Sequence, residues 1–350
     1  MREQVVIPLS TPIRRARAGR TSAGRAQGAF PPGARRAHFW KANIGRMAPP
    51  RYRVAVLGPG GVGGLLGALL ARAGDSVVVL AGESTAHAIG ERGLKLHSSR
   101  FGDFDVPVDS AVKLETPVDA CLITVKATQL EPALERVPAQ AVGQALLVPF
   151  LNGIDHVARL RALYPTSSVV AATIRVEVAR IEAGAVRQTS PFAAVEIATS
   201  PGVADRVEAL ASHLRATGLD VKVRDVEAPM LWDKLVLLGP LALLTTHARA
   251  NVGEVRTNRR DDALALISEV AAVATAEGVA VDPEAVLRMF DAAPEAMQSS
   301  MQRDQAAGLP LELDAIGGAV LEHAARAGVS VPVTTRLVEE LREREARLAH

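Results

Sequence analysis

The stretch Arg51 to Gly74, RYRVAVLGPGGVGGLLGALLARAG, constrains this chain more than any other. Val54-Ala55-Val56-Leu57 is a short apolar run of the kind that forms a buried parallel strand. It breaks into Gly58-Pro59-Gly60-Gly61-Val62-Gly63, a G-x-G-x-x-G sequence, after which Leu65, Leu66, Leu69 and Leu70 recur at helical spacing until Gly74. Gly58 permits a tight turn, Gly60 lets backbone approach a pyrophosphate, and Gly63 lets the helix pack close on the strand. The helix starting near Gly61 offers free N–H groups and a partial positive charge to that anion. Glycine-rich turns are common, so context decides. Here a strand precedes, a helix follows, and a second strand, Ser76 to Leu80, comes after Gly74. The stretch reads as the opening of a Rossmann dinucleotide-binding domain, with Gly58, Pro59, Gly60, Gly61, Val62 and Gly63 at the cofactor.

The end of the second strand selects between dinucleotides, since an acid there holds the ribose 2′-hydroxyl of NAD and an arginine the 2′-phosphate of NADP. The chain reads Leu80-Ala81-Gly82-Glu83-Ser84-Thr85. Glu83 points weakly to NAD, but it lies past the expected strand end. The choice stays open.

Further along, Gly93 to His97 and Phe104 to Val108 alternate like a hairpin, and Val118 to Val125 is another buried parallel strand ending in Lys126. A charge at the carboxyl end of such a strand sits where open α/β sheets bind ligands, so Lys126 is balanced between surface charge and ligand contact. The strand Ala145 to Phe150 leads into Asn152-Gly153, a turn dipeptide whose amide also suits a cleft. Val169 to Ile174, Ala185 to Thr189, Ala193 to Ile197 and Asp220 to Val223 read as strands, and Asp205 to Thr217 as a helix. From about Val226 helical periodicity takes over. Helices are expected over Ala228–Ala250 with a kink at Pro240, Arg260–Glu277, Pro283–Ala293, Leu311–Ala327 and Thr335–Leu348. Gly278 and Gly328 stand just past helix ends, and Thr334 or Thr335 caps the last helix. The fold class is α/β: a Rossmann domain with a parallel sheet over 51–225, then an all-α domain over 226–350, with the active site in the cleft between them.

Residues 1–50 differ in character, with nine Arg and one Lys against a single acid, Glu3. The net charge of +2 therefore hides a mildly acidic body behind a basic tail. A nucleic-acid arm, an Arg-rich transit peptide and sequence upstream of the true start compete as readings. Met47, just before the first strand, favours a mispredicted start; otherwise the tail is disordered. With aromatics at 3% and no reader motif, no nucleic-acid partner is expected. No apolar run reaches the roughly 20 residues of a membrane span. LVLLGPLALL from Leu235 is too short, so a soluble, cytoplasmic protein is expected. The single cysteine, Cys121, excludes an internal disulfide and a cysteine-based zinc site, and it lies in an apolar strand as an inert thiol. No metal is expected.

Several separated pieces together resemble one family, the ketopantoate reductases. They are GPGGVG at Gly58, ITVKATQ with Lys126, FLNG with Asn152, LWDKL with Lys234, NVGEV at Asn251, SSM at Ser299 and VPVTTRL near the C-terminus. The resemblance covers Arg53 to about Arg347. It implies NADP(H)-dependent reduction of a 2-oxo acid, with 2-dehydropantoate to pantoate, a step of pantothenate biosynthesis, as leading candidate. NAD(H) is not excluded. It places the catalytic lysine on Lys234 and its acidic partner on Glu312. It puts a serine near the substrate carboxylate on Ser300, cofactor-side residues on Lys126 and Asn152, and substrate contacts on Asn152 and Lys234. A homodimer is a further expectation of the resemblance. Three positions depart from the pattern: Leu238 and Ala242 replace asparagines that grip the substrate, and Gly82 replaces the arginine that meets the NADP phosphate. The first two imply a paralogue acting on a less polar oxo acid as the alternative. A non-catalytic NAD(P)-binding regulator is disfavoured by Lys234 and Glu312. A β-hydroxyacid dehydrogenase or imine reductase is disfavoured by the set Lys126, Asn152 and Lys234.

Overall fold

The computed structural model describes residues 51–164 and 169–348; the readings of residues 1–50 lie outside them. The chain starts with β1 (Arg53–Leu57), α1 (Gly61–Ala73), β2 (Ser76–Leu80) and α2 (Glu83–Arg92). The small strands β3 (Leu94–Ser98), β4 (Phe104–Val106) and β5 (Asp109–Ala111) follow, then β6 (Ala120–Ile123), a 3-10 turn at Ala127–Gln129, α3 (Leu130–Leu134), α4 (Ala139–Val142), β7 (Leu146–Pro149) and α5 (His156–Leu163). The strands β8 (Ala172–Glu182), β9 (Ala185–Ala198) and β10 (Asp220–Arg224), with α6 (Ala204–Ala216) between the last two, complete the β-containing half.

The order β5-β2-β1-β6-β7, every pair parallel, is that of a Rossmann sheet, with its reversal point between β1 and β6. Its central strands are apolar on both faces because helices cover both: Val54 to Leu57 and Ala120 to Ile123 are wholly buried. Gly58 takes φ +89, and Gly63 packs so closely that a Cβ there would overlap the Gly58 carbonyl and the Thr124 hydroxyl. Thr124 fixes that corner, its hydroxyl lying 2.9 Å from the Leu57 carbonyl and 2.8 Å from that of Gly58.

A second sheet, β10-β9-β3-β4 with β8 added on β9, was not anticipated. The expected separate strands Ala185–Thr189 and Ala193–Ile197 are one continuous β9, and the strand expected over Val169–Ile174 instead begins at Ala172 and runs to Glu182. The polar residues and Pro191 that broke the pattern fall where the β8–β9 register shifts, between Val176 and Val178. The hairpin over 93–108 is present as antiparallel β3–β4.

From Glu227 only helices follow among the described residues: α7 (Glu227–Ala248), α8 (Val252–Asn258), α9 (Arg260–Ala276), α10 (Pro283–Ala292), α11 (Ser300–Ala306), a π-helical turn at Asp314–Gly318, α12 (Ala319–Ala327) and α13 (Pro332–Leu348). The motif NVGEV proves to be a short helix, α8, capped by Asn251, whose side chain accepts the Glu254 N–H at 2.9 Å. The last helix starts at Pro332 rather than Thr335. Proline suits a first helical position, and Thr334 is buried with its N–H and hydroxyl both donating to Glu269. The 22-residue α7 passes through Pro240 and is long and apolar enough to cross a membrane, but 67% of its apolar window is buried in the fold. It is the core helix around which the others pack, so the short run read from Leu235 understated it. Both halves fall in one compact unit.

Gly63→Ala would overpack the α1–β1 contact, a change that costs about 1–3 kcal/mol. The expected outcome is a lower unfolding midpoint in urea together with weakened dinucleotide binding, and an unchanged midpoint would refute the close-packing role.

Candidate active site

The crevice begins where β1 and β6 diverge. Gly60 is the N-cap of α1, with no side-chain cap and no acid in the first turn. The N–H groups of Gly61, Val62 and Gly63 therefore stand where an anion can take them. Gly60 has open space where a Cβ would lie, whereas Gly61 is closed off by the Val178 carbonyl of β8. Glycines at both points and an uncapped helix suit a pyrophosphate; the residues fit a dinucleotide.

Lys126 lies three residues beyond β6 and is the N-cap of the 3-10 turn that follows. Its ammonium is ion-paired with Asp304 of α11, so it is tied across the crevice rather than free. Asp304 is 7% exposed, and its second oxygen has no partner. It lies one turn beyond Ser300 on the same helix face. Nothing in the sequence singled it out, because its partner is far away in the chain.

Asn152 follows β7, and its amide donates to Glu312 Oε2 at 3.0 Å, while the Ala127 N–H donates to Glu312 Oε1 at 3.1 Å. Glu312 is 4% exposed and lies two residues before the π-helical turn. The Asn152–Gly153 corner has a steric cause. Gly153 has φ +85, and a Cβ there would overlap the Ala315 carbonyl. Only glycine lets the loop press against the turn and so bring the amide to the carboxylate. Two residues on, Asp155 bonds His323 Nε2 at 3.0 Å, and Glu277 holds the other ring nitrogen at 2.7 Å. His323 also stands edge-on to Trp232, at 5.4 Å.

Lys234 lies on α7, whose N-terminus is anchored by a two-point contact between Arg161 and Glu227 at 2.6 and 2.7 Å. Its side chain is half-buried, and among the described residues no hydrogen bond or ion pair engages its ammonium. Burial pushes its pKa from 10.5 down to about 8; Glu312 pulls the other way, and Arg175 of β8 adds a smaller downward push. His156, at the start of α5, is buried, with neither ring nitrogen partnered. Burial, then the Lys234 charge, lowers its pKa to about 4, so it packs as a neutral imidazole.

Ser300 is the first residue of α11 and half-buried; the capping hydroxyl is that of Ser299, which accepts the Gln302 N–H at 3.0 Å and a bond from Thr245 at 2.8 Å. Among the described residues no hydrogen bond engages the Ser300 hydroxyl. Leu238 and Ala242 follow Lys234 at successive four-residue steps on one stripe of α7. Leu238 is partly exposed, whereas Ala242 is only 1% exposed and belongs to the core. The departure from asparagine changes the wall mainly at Leu238. Thus Asn152 and Glu312 meet by direct contact across the crevice, Lys126 is held beside them by Asp304, and Lys234 joins Glu312 through the field of its carboxylate.

Comparison with known proteins supplies the family. Residues 54–202 match Ketopantoate reductase PanE/ApbA and residues 228–345 match its C-terminal domain. The chain is 29% identical over 295 residues to a 2-dehydropantoate 2-reductase of Mycobacterium tuberculosis, covering 81% of this chain and 95% of that one. It is 28% identical over 298 residues to the uncharacterized oxidoreductase YkpB of Bacillus subtilis, covering 83% and 98%. Among solved structures, a PanE/ApbA family ketopantoate reductase from Ralstonia eutropha JMP134 superposes with a TM-score of 0.77 at 28% identity, over 85% of this chain and all of that one. D-mandelate dehydrogenase with NADH and anilino(oxo)acetate shares the fold at a TM-score of 0.79 and 22% identity, over 85% of this chain and all of that one. The chain belongs to the ketopantoate reductase PanE/ApbA family, oxidoreductases that act on CH–OH groups with a nicotinamide dinucleotide.

Proposed function

We propose that the protein reduces a 2-oxo acid to the 2-hydroxy acid, with Lys234 as proton donor. The observation that supports this most is an ammonium without a protein hydrogen bond, held beside a carboxylate that is itself fixed by Asn152 and Ala127. The dinucleotide, held by the Gly58–Gly63 loop with Lys126 and Asn152 on its side of the crevice, supplies the hydride when bound. Lys234 aims its charge at the substrate carbonyl oxygen and gives up a proton as that oxygen becomes an alkoxide. Glu312 favours the protonated lysine until then, and Ser300 donates to the substrate carboxylate. A pKa near 8 suits proton transfer near neutrality better than an ordinary lysine would.

The named relatives point to 2-dehydropantoate as substrate. The exposed surface of Leu238 favours an oxo acid with a less polar side chain. A lost hydrogen bond to a charged group is worth roughly 1.5–3 kcal/mol, or about 10- to 150-fold in kcat/KM. NADPH and NADH oxidation against a panel holding 2-dehydropantoate and 2-oxo acids with branched or aryl side chains decides this. An apolar member is expected to lead, and Leu238→Asn to move the ratio toward 2-dehydropantoate. A wild type that strongly prefers 2-dehydropantoate would sink the apolar assignment, and silence across the panel would sink the reductase reading.

The kcat/KM profile, which reports the free enzyme, should fall above about pH 8 as the Lys234 ammonium is lost. A flat profile to pH 10 in steady-state assays would count against Lys234 as donor. Because its folded pKa is depressed, the charged lysine costs stability at neutral pH, and that cost fades as pH rises from about 8 toward 10.5. Lys234→Met should therefore abolish turnover while leaving the ligand-free protein at least as stable, by about 1–3 kcal/mol in urea unfolding at pH 7. Glu312→Ala should do the opposite to stability. It strands two donors and costs about 1–3 kcal/mol in the same measurement, along with a lowered lysine pKa.

A further inference from the structure

The corner after β2 decides which dinucleotide such a crevice accepts, because the adenosine ribose lies there. In this chain the corner is Ala81-Gly82, and Gly82 precedes α2 with no capping side chain. A side chain growing from Gly82 would meet Arg136, whose Nη2 stands 3.8 Å from the Cβ position. Arg136 comes from another stretch, just past α3. Its N–H bonds the Ala133 carbonyl at 3.0 Å, and its carbonyl accepts the Leu114 N–H at 2.8 Å. Its Nη1 donates to the Val112 carbonyl at 3.2 Å, next to β5, the strand paired with β2. The guanidinium is thereby held at both ends of the side chain beside the empty corner. Among the described residues no carboxylate pairs with it, and most of its five N–H donors have no protein acceptor. Glu83 stands one residue further on, exposed in the first turn of α2, where solvent screens its charge.

We propose that Arg136 reads the adenosine 2′-phosphate, supplying from the segment after α3 the charge that Gly82 lacks and making the site prefer NADP(H) to NAD(H). This rests on the dinucleotide-dependent reading above. A planar fork matches phosphate in two-point geometry, and its position leaves the ribose corner itself free of side chains.

Calorimetric titration of NADP+ and NAD+ into wild type, Arg136→Ala and Arg136→Lys tests it. Arg136→Ala should weaken NADP+ by about tenfold or more while leaving NAD+ unchanged, with partial recovery in Arg136→Lys. An equal loss for both nucleotides would assign Arg136 to supporting the 112–114 loop, and no loss for NADP+ would remove it from the site; either overturns the proposal. Should the variants not fold, wild type alone decides. Adenosine 2′,5′-bisphosphate should bind it about tenfold tighter than 5′-AMP, and equal affinities refute the assignment. No oxo acid is needed, so a protein that discriminates the nucleotides but reduces nothing overturns only the reaction. One that binds neither nucleotide overturns both.

Discussion

The Glu312 carboxylate is the point on which the crevice depends. One oxygen takes the Ala127 N–H after β6, the other the Asn152 amide after β7, and the same charge acts on Lys234 of α7. A buried carboxylate is tolerated only when its lone pairs are used, and here the β-containing half supplies both donors. The two halves of the chain are thus registered by the group that also sets the charge state of the candidate acid. The ion pair Lys126–Asp304 and the bond Asp155–His323 repeat the same connection on either side.

Lys234 illustrates how such a site is maintained against stability. Dense surroundings favour the neutral amine, while Glu312 favours the ammonium, and the balance leaves it near neutrality. An ordinary salt bridge would have held the proton too firmly for transfer. A carboxylate spent on other donors exerts its field without capturing the lysine. His156 is the complementary case: beside that ammonium, a buried ring stays uncharged, so no further cation is added next to Lys234.

Much of this was legible beforehand where local rules apply. Gly58 and Gly63 have steric duties that a one-dimensional pattern records, and the same holds for Gly153, whose turn signal marked a close approach to Ala315. Lys234 and Glu312 were found only by their spacing within a family resemblance, since a helix lysine and a loop acid carry no signature of their own. Asp304, His156 and Arg136 were missed because each matters through a neighbour distant in sequence. The continuity of β9 was misread for a related reason. Residues such as Gln188 and Ser190 look like a break, yet they are buried and satisfied by Ser98 and by one another.

That last contact reaches further than its energy suggests. Ser98 and Gln188 are 90 residues apart, and between them the chain lays down β5, β6 and β7 of the first sheet. The second sheet is thus stitched from an early strand, β3, and late ones, β8 to β10. The nucleotide-binding sheet cannot be excised as a contiguous early fragment without orphaning β3 and β4. During synthesis these strands must wait for partners not yet made. The loop that opens the chain's first helix is formed from adjacent residues, but the body that supports it closes only once Arg224 has emerged, a topology that favours slow, cooperative folding.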